Sequence, residues 1–119
     1  MVLVKATGNS EKGFVPTPET LAMMAAMGRF NDELRAAGIL VMADGLKPSA
    51  HGKRVAFDGT ARTVNNGPFA NPRDLVAGFW IWEVKDMDEA VAWVKRCPNP
   101  MPEPSEIEIR PFYEPGDLA

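Results

Sequence analysis

Val76-Ala-Gly-Phe-Trp-Ile-Trp-Glu-Val-Lys85 is crowded with aromatic and branched residues along its length. That composition reads as a strand, and in a strand successive side chains point to opposite faces. Phe79 and Ile81 therefore share one face, and Trp80, Trp82 and Val84 share the other. A sheet with one wet face does not carry large apolar groups on both sides of a central strand. The spacing predicts a sheet covered on both faces, by helices on one side and by something else on the other.

The flanking sequence supplies the helices. Downstream, Asp86 can cap a helix with Glu89 three residues on, as a capping box asks. Met87, Ala90, Val91, Val94 and Cys97 give it a buried stripe, and Pro98 ends it. The connector Asn99-Pro-Met-Pro-Glu-Pro104 is stiff. Ser105 to Phe112 then alternates as a last strand, with Ile107 and Ile109 inward and Glu106, Glu108 and Arg110 outward. Upstream, Arg54–Phe57 and Ala61–Val64 read as a hairpin turning at Asp58-Gly59, where φ above zero is needed. Asn65-Asn66-Gly67-Pro68 breaks the chain, and residues 69–75 form a loop with at most one helical turn. Ile39 to Leu46 begins as a strand and runs into Ala43-Asp44-Gly45. An earlier helix is capped by Thr17, with Pro18 and Glu19 in its first turn. Met23, Met27, Phe30, Leu34 and Ala37 form its stripe, and Gly38 stops it. Met1–Ala6 reads as a first strand and the following residues to Pro16 as a polar loop. The tail, residues 114–119, reads as loose, with Leu118 its one anchor.

The order is β-α-β, a hairpin, then β-α-β. Two helices on one side of an antiparallel sheet give an α+β, ferredoxin-like sandwich. On this reading Trp80 and Trp82 lie on the uncovered face, where exposed apolar surface marks an interface or a pocket. A second copy of the chain would cover them. A monomer with an open apolar groove is the alternative.

Composition bounds the function more than it selects one. The chain has 119 residues, enough for one domain over residues 1–119, with a core over about 1–113. Its single Cys97 excludes an internal disulfide and cysteine-rich metal sites, and its single His51 excludes a multi-histidine centre. A net charge of -3 and the lack of a basic run argue against a nucleic-acid partner. No apolar window is long enough to span a membrane, and the start has no signal-peptide pattern. A cytoplasmic location follows as an expectation. No phosphate-cradling glycine motif is present and no cofactor is called for.

The candidate chemistry is sparse. His51 is the one side chain with an ordinary pKa near neutrality, and Asp44 could orient its ring; together they form the acid–base candidate. The plain alternatives are an exposed loop histidine and a turn aspartate that caps amides. Arg54 and Arg110 could hold an anionic ligand in a two-pronged grip, or simply pair with glutamates such as Glu108 and Glu83. Trp80 and Trp82 could line an apolar pocket or stack on a planar ligand, or form an assembly core. Cys97 at a helix C-terminus is poorly placed for a thiolate.

Asn66-Gly67-Pro68-Phe69-Ala70 resembles the short motif of the DGPF-domain proteins, part of the YCII-related family, which usually reads Asp-Gly-Pro-Phe-Ala-Glu. Gly38–Leu46 with Pro48-Ser49, Ala77–Ile81, Asp88-Glu89-Ala90, Cys97-Pro98 and Glu108–Pro111 agree in order, so the resemblance runs over about residues 1–113. It implies a dimeric α/β-barrel with a pocket near the sheet face, and no settled reaction. The histidine–aspartate pair of some relatives has no matching pair of positions here. Asn66 replaces the motif's Asp and Asn71 its Glu, which favours a structural role for this turn. Three functions remain in competition. One is cofactor-independent acid–base catalysis on a small anionic or carbonyl metabolite. The others are non-catalytic small-molecule binding and protein interaction.

Overall fold

The structure, a computed structural model, describes residues 1–118 without the Leu118 side chain, so the anchoring expected of Leu118 lies outside the described residues. The chain runs through β1 (Val2–Lys5), α1 (Pro18–Ala36), β2 (Leu40–Gly45), β3 (Lys53–Asp58), β4 (Ala61–Asn66), β5 (Val76–Trp82), α2 (Met87–Arg96) and β6 (Ile107–Ile109). Short 3-10 turns lie between them and at the tail, Pro115–Leu118.

Local chemistry sets the helix ends. The Thr17 hydroxyl accepts from the Thr20 N–H at 3.2 Å, and Thr20 Oγ1 accepts from the Thr17 N–H at 2.8 Å. This is a reciprocal capping box with threonine in place of the usual Glu or Gln. After α1 the chain turns at Gly38, whose φ of 73° suits a residue without a Cβ. At α2, Asp86 Oδ1 accepts from the Glu89 N–H at 2.9 Å. The Glu89 carboxylate reaches back to the Lys85 N–H, one residue short of a full box.

The main sheet has the strand order β2-β5-β1-β6, with every neighbouring pair antiparallel. Strands β3 and β4 form a separate two-stranded ribbon. Its turn residues are Gly59 and Thr60, because Asp58 already pairs with Ala61. The turn therefore sits one residue later than Asp58-Gly59, and only Gly59 takes a positive φ.

Register decides what the sheet buries. Trp80 stands opposite Val2 and Ala43, Trp82 opposite Leu40, and Val2 and Val4 opposite Ile109 and Ile107. Val2, Val4, Trp80 and Trp82 form one buried cluster with Phe30 and Leu34 of α1, against which Trp93 and Val94 of α2 pack. Phe30 is the aromatic hub, its ring centroid 6.1 Å from that of Trp80 and 6.2 Å from that of Trp82. The two helices thus cover the tryptophan face. This corrects the expectation that Trp80 and Trp82 lie on the uncovered side: both are buried within their own chain. The uncovered face instead carries Phe79 and Leu3, which pair with each other, and Ile81, opposite Met42. Asp44 and Glu108 share that face by register, opposite Phe79 and Leu3. Helices took the side free of charge, because an unpaired carboxylate is costly to bury.

Candidate functional site

A cleft of about 440 Å³ opens between α1 and the β2–β5 edge of the sheet. Met23, Met24, Met27 and Met101 supply polarizable walls, and Trp80 lies at its base. Ala43, Asp44 and Gly45 form the β2 side. Gly28 adds no side chain to the α1 wall, and a Cβ there would meet nothing within 4 Å. The polar group within the cleft that orients the core is Asn31, whose Oδ1 accepts from the Trp80 indole N–H at 2.7 Å. The Trp82 indole N–H, by contrast, is buried with no hydrogen-bond partner among the described residues.

Three loops meet beside this region. Glu11 accepts from the Ser49 N–H at 3.0 Å and also from the Ser49 hydroxyl. The Ser49 hydroxyl oxygen accepts in turn from the Phe69 N–H at 3.0 Å. Gly67 donates to the Gly52 carbonyl at 3.0 Å, and its peptide bond to Pro68 is cis. A Cβ at Gly67 would stand 1.7 Å from the Ser49 carbonyl oxygen, so only glycine permits this approach. The Asn-Gly-Pro-Phe segment thereby closes the base of the ribbon onto the 3-10 turn Ser49–His51. Asn66 accepts from the Lys53 ammonium across the ribbon rather than capping the backbone.

The sequence candidates are dispersed by this geometry. Asp44 borders the cleft at the end of β2, but register turns its side chain to the uncovered face, and its Oδ1 accepts from the Gly45 N–H at 2.9 Å. His51 is exposed in its 3-10 turn. Among the described residues no hydrogen bond or ion pair joins it to Asp44. The Arg54 guanidinium lies 4.0 Å from the centroid of the Phe69 ring, a cation–π contact with the motif itself. Arg110 pairs with Glu108 at 3.2 Å. It lines a different depression, with Val41, Ile81 and Phe112. Trp80 reaches the cleft from the core, whereas Trp82 lines only the depression that also holds Arg110. Cys97 is half-buried, and desolvation pushes its thiol up to about 11. The Thr7 hydroxyl and the Asn9 N–H hold the Glu103 carboxyl below its ordinary value. Among the described residues no three His, Cys, Asp or Glu side chains cluster to hold a metal ion.

Glu11 and Asn31 are absent from the sequence candidates, and Ser49 enters there only within the Pro48-Ser49 segment of the resemblance. Asn31 follows Phe30 on the α1 stripe, a polar position beside a core residue, which is a readable signal. The Glu11–Ser49 contact spans 38 residues of chain and leaves no local trace.

The family model described as the YCII-related domain matches residues 1–114. The chain belongs to the YCII-related family. A curated relative in Rhizobium meliloti (strain 1021), named Uncharacterized protein R00369, is 33% identical over 57 residues. That stretch is 46% of this chain and 46% of the relative, so the match spans about half of each. This YCII-related domain has no helix long and apolar enough to cross a membrane among its described residues.

Proposed function

We propose that this YCII-related protein is a homodimer that binds a small, largely apolar molecule in the cleft between α1 and the β2–β5 edge. The observation that carries the binding role is the cleft itself, whose volume falls within the usual range for small-molecule sites. Its methionines adapt to irregular shapes, and Asn31 supplies the polar atoms for orientation. The dimer rests on the uncovered sheet face, where Leu3, Met42, Phe79 and Ile81 are aligned by register. A second subunit would cover that face with a matching copy of itself, giving a barrel of two sheets.

Non-catalytic binding is favoured over acid–base turnover. Asp44 borders the cleft with its side chain on the other face of the sheet, while His51, Arg54 and Arg110 are placed elsewhere in the subunit, two of them already engaged.

The test uses the full chain and the dye 8-anilinonaphthalene-1-sulfonate, read by its fluorescence and by quenching of tryptophan emission. Gly28→Leu fills the cleft from an exposed helix position. It should weaken dye binding at least 10-fold while leaving the sedimentation coefficient unchanged. Equal binding by Gly28→Leu and the wild type would remove the cleft as the site.

A further inference from the structure

The β3–β4 ribbon is the part of the molecule that its own chain leaves unexplained. Its register pairs Val55 with Val64 and Phe57 with Arg62, so Val55, Phe57 and Val64 share one face with Arg62, and Lys53 and Asn66 stand at its base. Arg54, Ala56, Thr63 and Asn65 share the other. An apolar centre on one face, with the Arg62 guanidinium 4.5 Å over the Phe57 ring, is the pattern of a strand pair that buries that face. Yet Val55 is 47%, Val64 57% and Phe57 73% exposed. The two strands make their contacts almost wholly with each other. A lone two-stranded ribbon is marginal in water, so this one needs a surface to lie on.

The shape of the molecule says the same. The radius of gyration is 16.5 Å and the extents are 49 × 47 × 20 Å. A compact chain of this length has a radius of about 13.5 Å. The subunit is a thin plate with an arm, and the arm is held firmly at its base. The Glu11–Ser49–Phe69 chain of hydrogen bonds and the Arg54–Phe69 stack fix where the ribbon leaves the body.

We propose that the β3–β4 ribbon is an intersubunit arm, which lays its Val55–Phe57–Val64 face on a second copy of this chain. This rests on the dimer reading above and extends it from a sheet face to an arm. A second copy is the occupant for two reasons. The same chain bears another unpartnered apolar surface, the Leu3–Met42–Phe79–Ile81 face, and a two-fold pairing can hide both at once. The charges also agree: Lys53 and Arg62 lie on the ribbon's apolar face, and Asp44 on the uncovered face has no ion-pair partner among the described residues, whereas Glu108 is already paired with Arg110.

The experiment is sedimentation equilibrium of the full chain from nanomolar to micromolar concentration. The wild type should be a dimer. Val55→Ser with Phe57→Ser and Val64→Ser should weaken self-association about 100-fold or more. Circular dichroism should be retained, because these side chains support no core of their own subunit. Thr63→Ser, on the opposite face, should leave association unchanged. A dimer whose affinity ignores the triple substitution overturns the arm and leaves the dimer reading standing. A wild type that stays monomeric at micromolar concentration overturns both. Loss of association that appears equally in Thr63→Ser would show a general effect of altering the ribbon and overturn the assignment of its apolar face.

Discussion

Two tryptophans a strand-step apart carry different debts. Trp80 donates to Asn31, whereas the Trp82 N–H is buried without an acceptor among the described residues. Replacing either by Phe removes similar ring area. Trp80→Phe also breaks a hydrogen bond, while Trp82→Phe relieves an unsatisfied donor. Urea denaturation should find Trp82→Phe the milder change by about 1–2 kcal/mol. Equal losses would mean that Trp82 has an acceptor after all. Cys97 gives a pH prediction. Its thiol rises to about 11 from an ordinary value of 9.0 because burial disfavours the thiolate. Iodoacetamide at pH 8 should therefore modify it about 100-fold more slowly than a free thiol, a tenfold loss of thiolate per pKa unit. Above pH 9 the unfolded chain loses the thiol proton before the folded one does. Stability should fall as pH rises from about 9 toward 11, and Cys97→Ser should flatten that slope.

Among the elements, the helices and the ribbon obey local rules, and the loop junction does not. The capping residues Thr17 and Asp86 and the stop at Gly38 do what their chemistry asks. The ribbon turn moved by one residue because Asp58 had a pairing partner in Ala61. Gly67 is the position where the two kinds of glycine separate. A methyl there collides with the Ser49 carbonyl, which is backbone and has nowhere to go. Gly67→Ala should cost about 1–3 kcal/mol by urea denaturation, as overpacking does. Gly28→Ala, with nothing within 4 Å, should instead add about 0.5–1 kcal/mol by improving α1. If both changes proved neutral, the clamp between the Asn-Gly-Pro-Phe segment and Ser49 would lose its structural importance. The ion pairs among the described residues, Arg35–Asp32, Arg73–Glu106, Arg96–Glu33 and Arg110–Glu108, are all solvent-exposed and add little to this balance.

The whole molecule is a plate: helices on one side, an uncovered sheet on the other, and an arm beyond the edge. The period of two separates the apolar residues of β5 into the two sets the structure shows, but Trp80 and Trp82 lie on the helix-covered side rather than the uncovered one. Periodicity of two says which residues share a face, but not which face the helices choose. Pairing supplies that answer, since Phe79 meets Asp44 and Leu3 meets Glu108, leaving the tryptophan side as the one without charge. The alternation of Glu108 with Ile107 and Ile109 was visible in the sequence, yet its bearing on β5 depended on knowing that β1 lies between them. Of the candidate site, Trp80 forms part of the cleft and Asp44 only borders it, while His51, Arg54 and Arg110 lie elsewhere. The sequence by itself determined the element order, the helix ends, the paired faces of the strands and the kinship carried by the Asn-Gly-Pro-Phe segment, because each depends on neighbours a few residues apart. Only the tertiary structure decided which face is buried, that Glu11 would hold Ser49, and where the cleft opens. Those outcomes depend on residues far apart in the chain meeting in a register that no local pattern encodes.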